Sequence, residues 1–324
     1  MKTTPPIRVA LYGSNGHQIY EELRDNPRAR LVAAAGIERD AQAGLDRAGV
    51  RLCDDLDSLA RDDGIDLISL CSPVRGEQAA DAVRCLSRGK HVYAEKPCAL
   101  SERALDDILA AARRSGALFH EMAGTTFIQP YLSMRGIVRS GALGDIVQVY
   151  AQKSYPYHDG RPQDEDESID GGLLRQAGVH AMRFIEHTAC ARIAQIRAVE
   201  TRLGNPKRGG MRTACSCMMT LENGGVASAV INYENPRGFG SWGNECLRMF
   251  GTKGLLEATD GGARTRLVLG DKDLGSIEIA GEGLSYFELF LDQLLEGKPM
   301  PLSLEEELHP ARIVIRAKEG AERG

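Results

Sequence analysis

Through the first third of the chain, short and nearly unbroken apolar runs alternate with stretches whose apolar positions recur every three or four residues. The runs "IRVALYG", "ARLVAAAG", "IDLISLCSP" and "HVYAEKP" read as strands buried on both faces. Between them "GHQIYEELRDN", "AQAGLDRAG", "EQAADAVRCLSRGK" and "SERALDDILAAARRSG" read as helices. Buried strands separated by helices predict βαβ units, because parallel neighbours need a crossover between them. The expected fold class is therefore α/β, opening on a doubly wound parallel sheet. "ALFHEMAG" supplies one more strand near residues 117–123, and the domain boundary is set just after it, giving 1–123 and 124–324.

Beyond a helix expected at about 129–141 the apolar period shortens to two. "GDIVQVYAQKSY", "IAQIRAVETR", "RTACSCMMTLENGGVASAVINYE" and "ECLRMFGTKGLLEAT" read as strands joined by hairpin signals such as Glu222-Asn223-Gly224-Gly225. The second domain is thus expected to be α+β with a large, mostly antiparallel open sheet. A helix at about 172–189 interrupts it. "LSYFELFLDQLLEG" and "LEEELHPARIVIRAKEGAE" close the chain as helices expected to pack back towards the first domain, with Pro310 near the start of the last. The polar stretch 158–172 reads as a mobile loop. "RTACSCMMTL" and "GVASAVINY" are apolar or small on both alternating faces, which predicts a homodimer or homotetramer packed through the open sheet face.

Composition narrows the chemistry. The 324 residues exceed one ordinary domain, and a net charge of -5 removes the electrostatic reason to expect nucleic acid. No stretch approaches the ~18 to 20 apolar residues that span a bilayer. The opening "MKTTPPIRVALYG" lacks a signal-peptide core, so a cytoplasmic protein without membrane contact is expected. The 8 cysteines form no C-x-x-C pair and read as buried thiols. His120, His187 and the acidic run 164–167 show no ligand spacing, and no metal is expected.

The first strand runs into "GSNGHQ", residues 13–18. A dinucleotide-binding turn uses three glycines: for the tight turn, for backbone approach to the pyrophosphate, and for close helix packing. Gly13 fills the first place and Asn15 stands at the second, with Gly16 beside it. Gln18 holds the third, which predicts a looser helix. Glu38, just beyond the second strand, is placed to reach an adenosine ribose and Arg39 a 2′-phosphate, so NAD and NADP both stay open. Ser14 and His17 in the turn, and Cys71, Ser72 and Pro73 at a neighbouring strand end, complete the expected cofactor contacts.

"GKHVYAEKPCALS", residues 89–101, is the most specific stretch. With the turn at 13–18, Ser72-Pro73, "SGALGDI" at 140–146, "GGLLRQAGVH" at 171–180 and "FGTKG" at 250–254, it resembles the Gfo/Idh/MocA family of nicotinamide-dependent sugar and polyol oxidoreductases, whose hallmark is Glu-Lys-Pro after a strand. The resemblance implies a Rossmann domain, then an α/β domain with an open sheet, and an active site between them that takes NAD or NADP. It implies that Lys96, preceded by Glu95, lies near the nicotinamide and donates to a substrate hydroxyl, with Pro97 stiffening the turn. In the family a helix carries an acid and a histidine four residues apart; here these positions are Gln176 and His180. Histidine, with an ordinary pKa of ~6.5, suits proton exchange at neutral pH, whereas Gln176 can only position a group.

Arg183 stands where many relatives have an acid, and either meets an electron-rich group of the substrate or serves the structure, pairing with Glu186 for example. Glu77 replaces a histidine common in relatives. Tyr155, Tyr157, His158 and Arg161 follow a strand edge and are candidates for contact with a polyhydroxylated ligand. Three functions remain open: oxidation of a secondary hydroxyl of a sugar, cyclitol or related metabolite or reduction of the matching ketone; a lyase or glycosidase that retains NAD and oxidises transiently; and a non-catalytic ligand-sensing protein.

Overall fold

A computed structural model describes residues 5–38, 42, 44–45, 48–156, 167–205 and 210–322. Arg39, Tyr157, His158, Arg161 and most of the polar stretch expected to be a loop lie outside the described residues. The chain forms two compact units: Met1–Ala123 with Ser168–Asp170 and Tyr286–Glu307, and Gly124–Glu167 with Gly171–Ser285 and Leu308–Gly324.

The first unit holds a six-stranded sheet of β1 (Ile7–Tyr12), β2 (Ala29–Ala35), β3 (Arg51–Leu52), β4 (Leu67–Leu70), β5 (His91–Ala94) and β6 (Phe119–Glu121). Its order is β3-β2-β1-β4-β5-β6 and every pair is parallel. Val9, Leu11, Leu67, Ile68, Val92 and Ala94 are fully buried, as strands covered on both faces must be. The order reverses between β1 and β4, the point where sheets of this kind take a ligand.

Helices α1 (Tyr20–Leu23), α2 (Leu56–Ala60), α3 (Gln78–Ser87) and α4 (Glu102–Ser115) connect the strands. Ser101 caps α4 by accepting from Ala104 N, and Gly116 ends it at φ 72°. The expected helix "GHQIYEELRDN" is only the four residues of α1, because Gly16 at φ 120° and Asp25 at φ 54° break the backbone on either side. Helix Tyr286–Glu296 also belongs to this unit. Phe287 and Phe290 lie 5.5 and 5.9 Å from the Tyr93 ring, and Arg28 pairs with Glu288 and Asp292.

The second unit is built on eight strands: β7 (Ile146–Ser154), β8 (Ile193–Thr201), β9 (Ala214–Leu221), β10 (Val226–Asn232), β11 (Cys246–Gly251), β12 (Gly254–Thr259), β13 (Arg264–Leu269) and β14 (Lys272–Gly275). Their order is β14-β13-β12-β11-β7-β10-β9-β8, antiparallel except for the parallel pair β7–β10. Cys215, Cys217, Met219 and Leu221 of β9 face the core, while Met218 and Val199 on the opposite face are 74% and 76% exposed. The hairpin β13–β14 was not among the expected strands; β14 is exposed throughout, and β13 has only Leu267 and Leu269 packed against the core.

One continuous helix over 172–189 does not form. The helix expected at about 129–141 forms as α5 (Tyr131–Arg139), whereas the 172–189 segment splits into α6 (Gly172–Gln176), α7 (Gly178–Arg183) and a π-turn, Phe184–Thr188, in which Ala189 N donates to Phe184 O. Gly178 allows the break to pack tightly: a Cβ there would lie 3.0 Å from Leu174 Cδ1 and 3.6 Å from Val314 Cγ1. Val314 belongs to the last helix, Leu304–Glu322, which holds Pro310 in its second turn. Among the described residues no helix is long and apolar enough to cross a membrane.

Candidate functional site

The turn after β1 depends on two glycines. Gly13 has φ 73°, and a Cβ on it would sit 2.1 Å from Cys71 O, so no other residue fits without moving the end of β4. Gly16, at φ 120°, lies against Glu95, whose Cγ would be 2.6 Å from an added Cβ. The Asn15 amide is held by neighbouring backbone. Its Nδ2 donates to Pro73 O at 3.1 Å and Ile169 O at 2.7 Å, and its backbone N donates to Cys71 O at 3.2 Å.

Gln18 stands where a third glycine would bring the helix close. Its Nε2 donates to Tyr12 O at 3.0 Å and Gly13 O at 2.8 Å, while Ser69 Oγ donates to its Oε1 at 2.8 Å. The corner is thus tied by an amide rather than closed by backbone contact, which accounts for the short α1.

At the end of β5 the Glu95 and Lys96 side chains are buried, 2% and 7% exposed. His17 N donates to Glu95 Oε2 at 3.0 Å, and Lys96 Nζ stands 3.8 Å from Glu95 Oε1. Burial alone would push the Glu95 carboxyl up, but the contact with His17 and the charges of Lys96 and Arg75 outweigh it and hold it down at about 2. Glu95 is therefore a carboxylate at neutral pH, joined on one side to the turn and on the other to the lysine.

Two residues outside the expected set complete this support. Arg75, 1% exposed, donates to Asn15 O and Gln78 Oε1. Gln78 Nε2 donates to Glu95 O, and to Pro97 O at 3.2 Å. Nothing in "SPVRGEQ" marks Arg75 as buried, because an arginine in a polar turn has the pattern of a surface residue.

The remaining predicted contacts of this unit divide. Ser72 faces inward, its Oγ donating to Asp81 Oδ2 at 2.8 Å. Burial pushes the Cys71 thiol far up, so it is no nucleophile. Pro73, Glu77 and Glu38 are exposed, Ser14 is half-buried, and His17 lies open at the turn.

In the second unit His180 is on α7, and its Nδ1 lies 2.8 Å from Thr125 Oγ1. Gln176 ends α6, where its Oε1 accepts from Tyr233 OH at 2.9 Å. Because the helix breaks at Ala177, His180 N donates to Ala177 O at 3.2 Å, and the two side chains sit on separate helical pieces rather than on one helix face. Arg183, read either as a contact for substrate or as a structural residue, is fully buried. Its suggested partner Glu186 is engaged elsewhere, accepting from Ile193 N at 2.9 Å and meeting His309 Nδ1 at 2.7 Å.

Tyr155 follows β7, its backbone bonded to Asn232 O and Asn235 N, each at 3.0 Å. Its ring centroid is 6.4 Å from that of Trp242, the single tryptophan, which is 54% exposed. Neither Thr125 nor Trp242 was anticipated, since neither belongs to a motif. Among the described residues no three His, Cys, Asp or Glu side chains are grouped so as to hold a metal.

Comparison with known proteins gives this geometry a context. Residues 7–122 match the oxidoreductase family with an NAD-binding Rossmann fold, and residues 131–257 match the GFO/IDH/MocA C-terminal domain. Trans-1,2-dihydrobenzene-1,2-diol dehydrogenase of Xenopus laevis is 28% identical over 131 residues, which are 40% of this chain and 38% of that one. The chain therefore matches well under half the length of that relative. The scyllo-inositol 2-dehydrogenase (NADP(+)) IolW of Bacillus subtilis is 21% identical over 98% of this chain and 94% of its own. The structure of an aldose-aldose oxidoreductase of Caulobacter crescentus, in complex with glycerol, superposes with a TM-score of 0.83 at 18% identity, covering 98% of each chain.

Proposed function

The chain belongs to the Gfo/Idh/MocA family of oxidoreductases, and from that membership we propose that it oxidises a secondary hydroxyl of a sugar, cyclitol or related ring diol with NAD or NADP, or reduces the matching ketone. The observation that carries this reading is the Glu95 bridge, a buried carboxylate that locks the glycine turn and Lys96 into one rigid piece. A nicotinamide, when bound, supplies the hydride acceptor or donor. The turn at Gly13 to Gly16 holds the pyrophosphate, and Lys96 orients the reacting oxygen. His180 exchanges that oxygen's proton, as a histidine can near neutral pH. Gln176 and Tyr155 position the other hydroxyls. The substrates for which these relatives are named, a dihydrodiol and an inositol, both carry hydroxyls on a six-membered ring. The apolar residues on the open sheet face, Val199 and Met218 among them, fit the surface of a homo-oligomer.

The test is incubation of the purified protein with NAD or NADP and trans-1,2-dihydrobenzene-1,2-diol, scyllo-inositol or a panel of aldoses. Net reduced cofactor should form, and Lys96→Met should lower kcat by roughly 10² to 10⁴-fold. Product formed with no net change in cofactor would instead identify a lyase or glycosidase. Cofactor that binds while none of the compounds turns over would favour the sensing role.

A further inference from the structure

We propose that Thr125 is a positioning residue that holds the His180 ring and keeps a proton on its Nδ1, so that Nε2 is the nitrogen that exchanges protons with the substrate. This rests on the proton-exchange role given to His180 above. Thr125 lies in a single 3-10 turn, Gly124–Phe127, directly after the first unit ends. Its Oγ1 is 2.8 Å from His180 Nδ1. The turn is fastened twice more just beyond that bond. Thr126 Oγ1 is 2.8 Å from Thr188 Oγ1, with both residues fully buried, and Phe127 O accepts from Leu284 N at 2.8 Å. The paired threonines therefore clip the histidine-bearing segment at two places, His180 on α7 and Thr188 in the π-turn.

The chemistry requires a group of this kind. An imidazolium carries hydrogen on both nitrogens, so in that state Thr125 must accept from Nδ1–H. If the proton then leaves from Nε2 the bond at Nδ1 is unchanged. If it left from Nδ1, the threonine hydroxyl would have to turn round at every cycle and the proton would face the threonine instead of a substrate. Which nitrogen carries the proton is set by the partner of the other one. In many enzymes that partner is a carboxylate; Gln176, the residue at the family's acidic position, is neutral and takes a hydrogen bond from Tyr233. Thr125 performs the orienting role without adding a charge beside the ring.

The experiment uses full-length protein labelled with 15N-histidine, with His180→Gln to assign the signal, and compares wild type, Thr125→Val and Thr125→Ser. Long-range 15N–1H correlation spectra read the tautomer directly. In the wild type, neutral His180 should carry its proton on Nδ1. Thr125→Val should move it to Nε2, the site favoured by imidazole in water, and Thr125→Ser should restore Nδ1. The same tautomer in wild type and Thr125→Val, or a wild-type ring protonated at Nε2, would overturn the proposal. With the dihydrodiol or the inositol as substrate, Thr125→Val should lower kcat roughly tenfold while KM stays within about twofold and NADH binding is unchanged. Equal losses in kcat, KM and NADH binding would instead mark Thr125 as merely structural. If His180→Gln does not slow turnover, the role assigned to His180 fails, and the spectra still decide what Thr125 does to the ring.

Discussion

Glu95 is the residue on which the cofactor half of the account turns. With its carboxyl held down at about 2 against an ordinary 4.5, the sign of its contribution follows. The stabilisation is fully present above pH ~4.5 and is lost as pH falls towards 2, where the folded carboxylate finally takes a proton. Glu95→Gln should therefore cost about 1–3 kcal/mol near neutral pH, since Lys96 and Arg75 keep their charge without a buried counter-charge. In denaturant titrations the gap to wild type should persist down to about pH 5 and close by about pH 2. A gap independent of pH would show that the carboxylate's charge is not what holds the turn. At this scale the sequence was readable only in part. Gly13, Glu95 and Lys96 stood out because few other residues do their work. Arg75, Gln78 and Thr125 act through side-chain hydrogen bonds to residues distant in the chain, which leave no pattern in the sequence.

Among the elements, strand β6 and the first turn of the last helix, Leu304–Glu322, are joined by a buried pair. His120, 4% exposed, meets Glu307 Oε2 through Nδ1 at 2.6 Å, and Tyr286 OH donates to the same oxygen at 2.5 Å. Glu307 Oε1 accepts from Glu121 N at 2.6 Å, so one carboxylate ties strand and helix together. Burial would lower the His120 pKa, but the Glu307 charge and hydrogen bond raise it on balance. The pair's stabilisation is thus full below the unfolded value of ~6.5 and is lost as pH rises through the elevated folded value. His120→Gln should destabilise by about 1–3 kcal/mol at pH 6 and by distinctly less at pH 9, read from denaturant midpoints. A difference that grows with pH would contradict the pairing.

Elements were legible where one period dominates. The parallel strands other than the two-residue, exposed β3, and β7 to β12, follow from uninterrupted or alternating apolar runs. The break of the 172–189 helix at Ala177 does not, because the segment's apolar residues continue across it without interruption. The hairpin β13–β14 offers only the short apolar stretch Leu267 to Leu269, with β14 wholly exposed, too little to mark a strand pair.

For the whole molecule, the parallel sheet followed by a large antiparallel one was the expected class, and the order of the first sheet is the one whose reversal point binds dinucleotides. The two faces of β9 also behave as its sequence suggested, one lining the core and the other carrying exposed Met218. Substrate identity was not legible, since the strand-edge residues Tyr157, His158 and Arg161 fall outside the described chain and ring hydroxyls are read by loops rather than by a motif.

The most direct measurement is a titration of the purified protein with NADH and with NADPH, followed by nicotinamide fluorescence, for wild type and Gly13→Ala. Saturable binding of at least one cofactor in the micromolar range is predicted for the wild type. The alanine, whose Cβ would fall 2.1 Å from Cys71 O, should weaken it at least tenfold. Wild-type protein that binds neither cofactor would contradict the account.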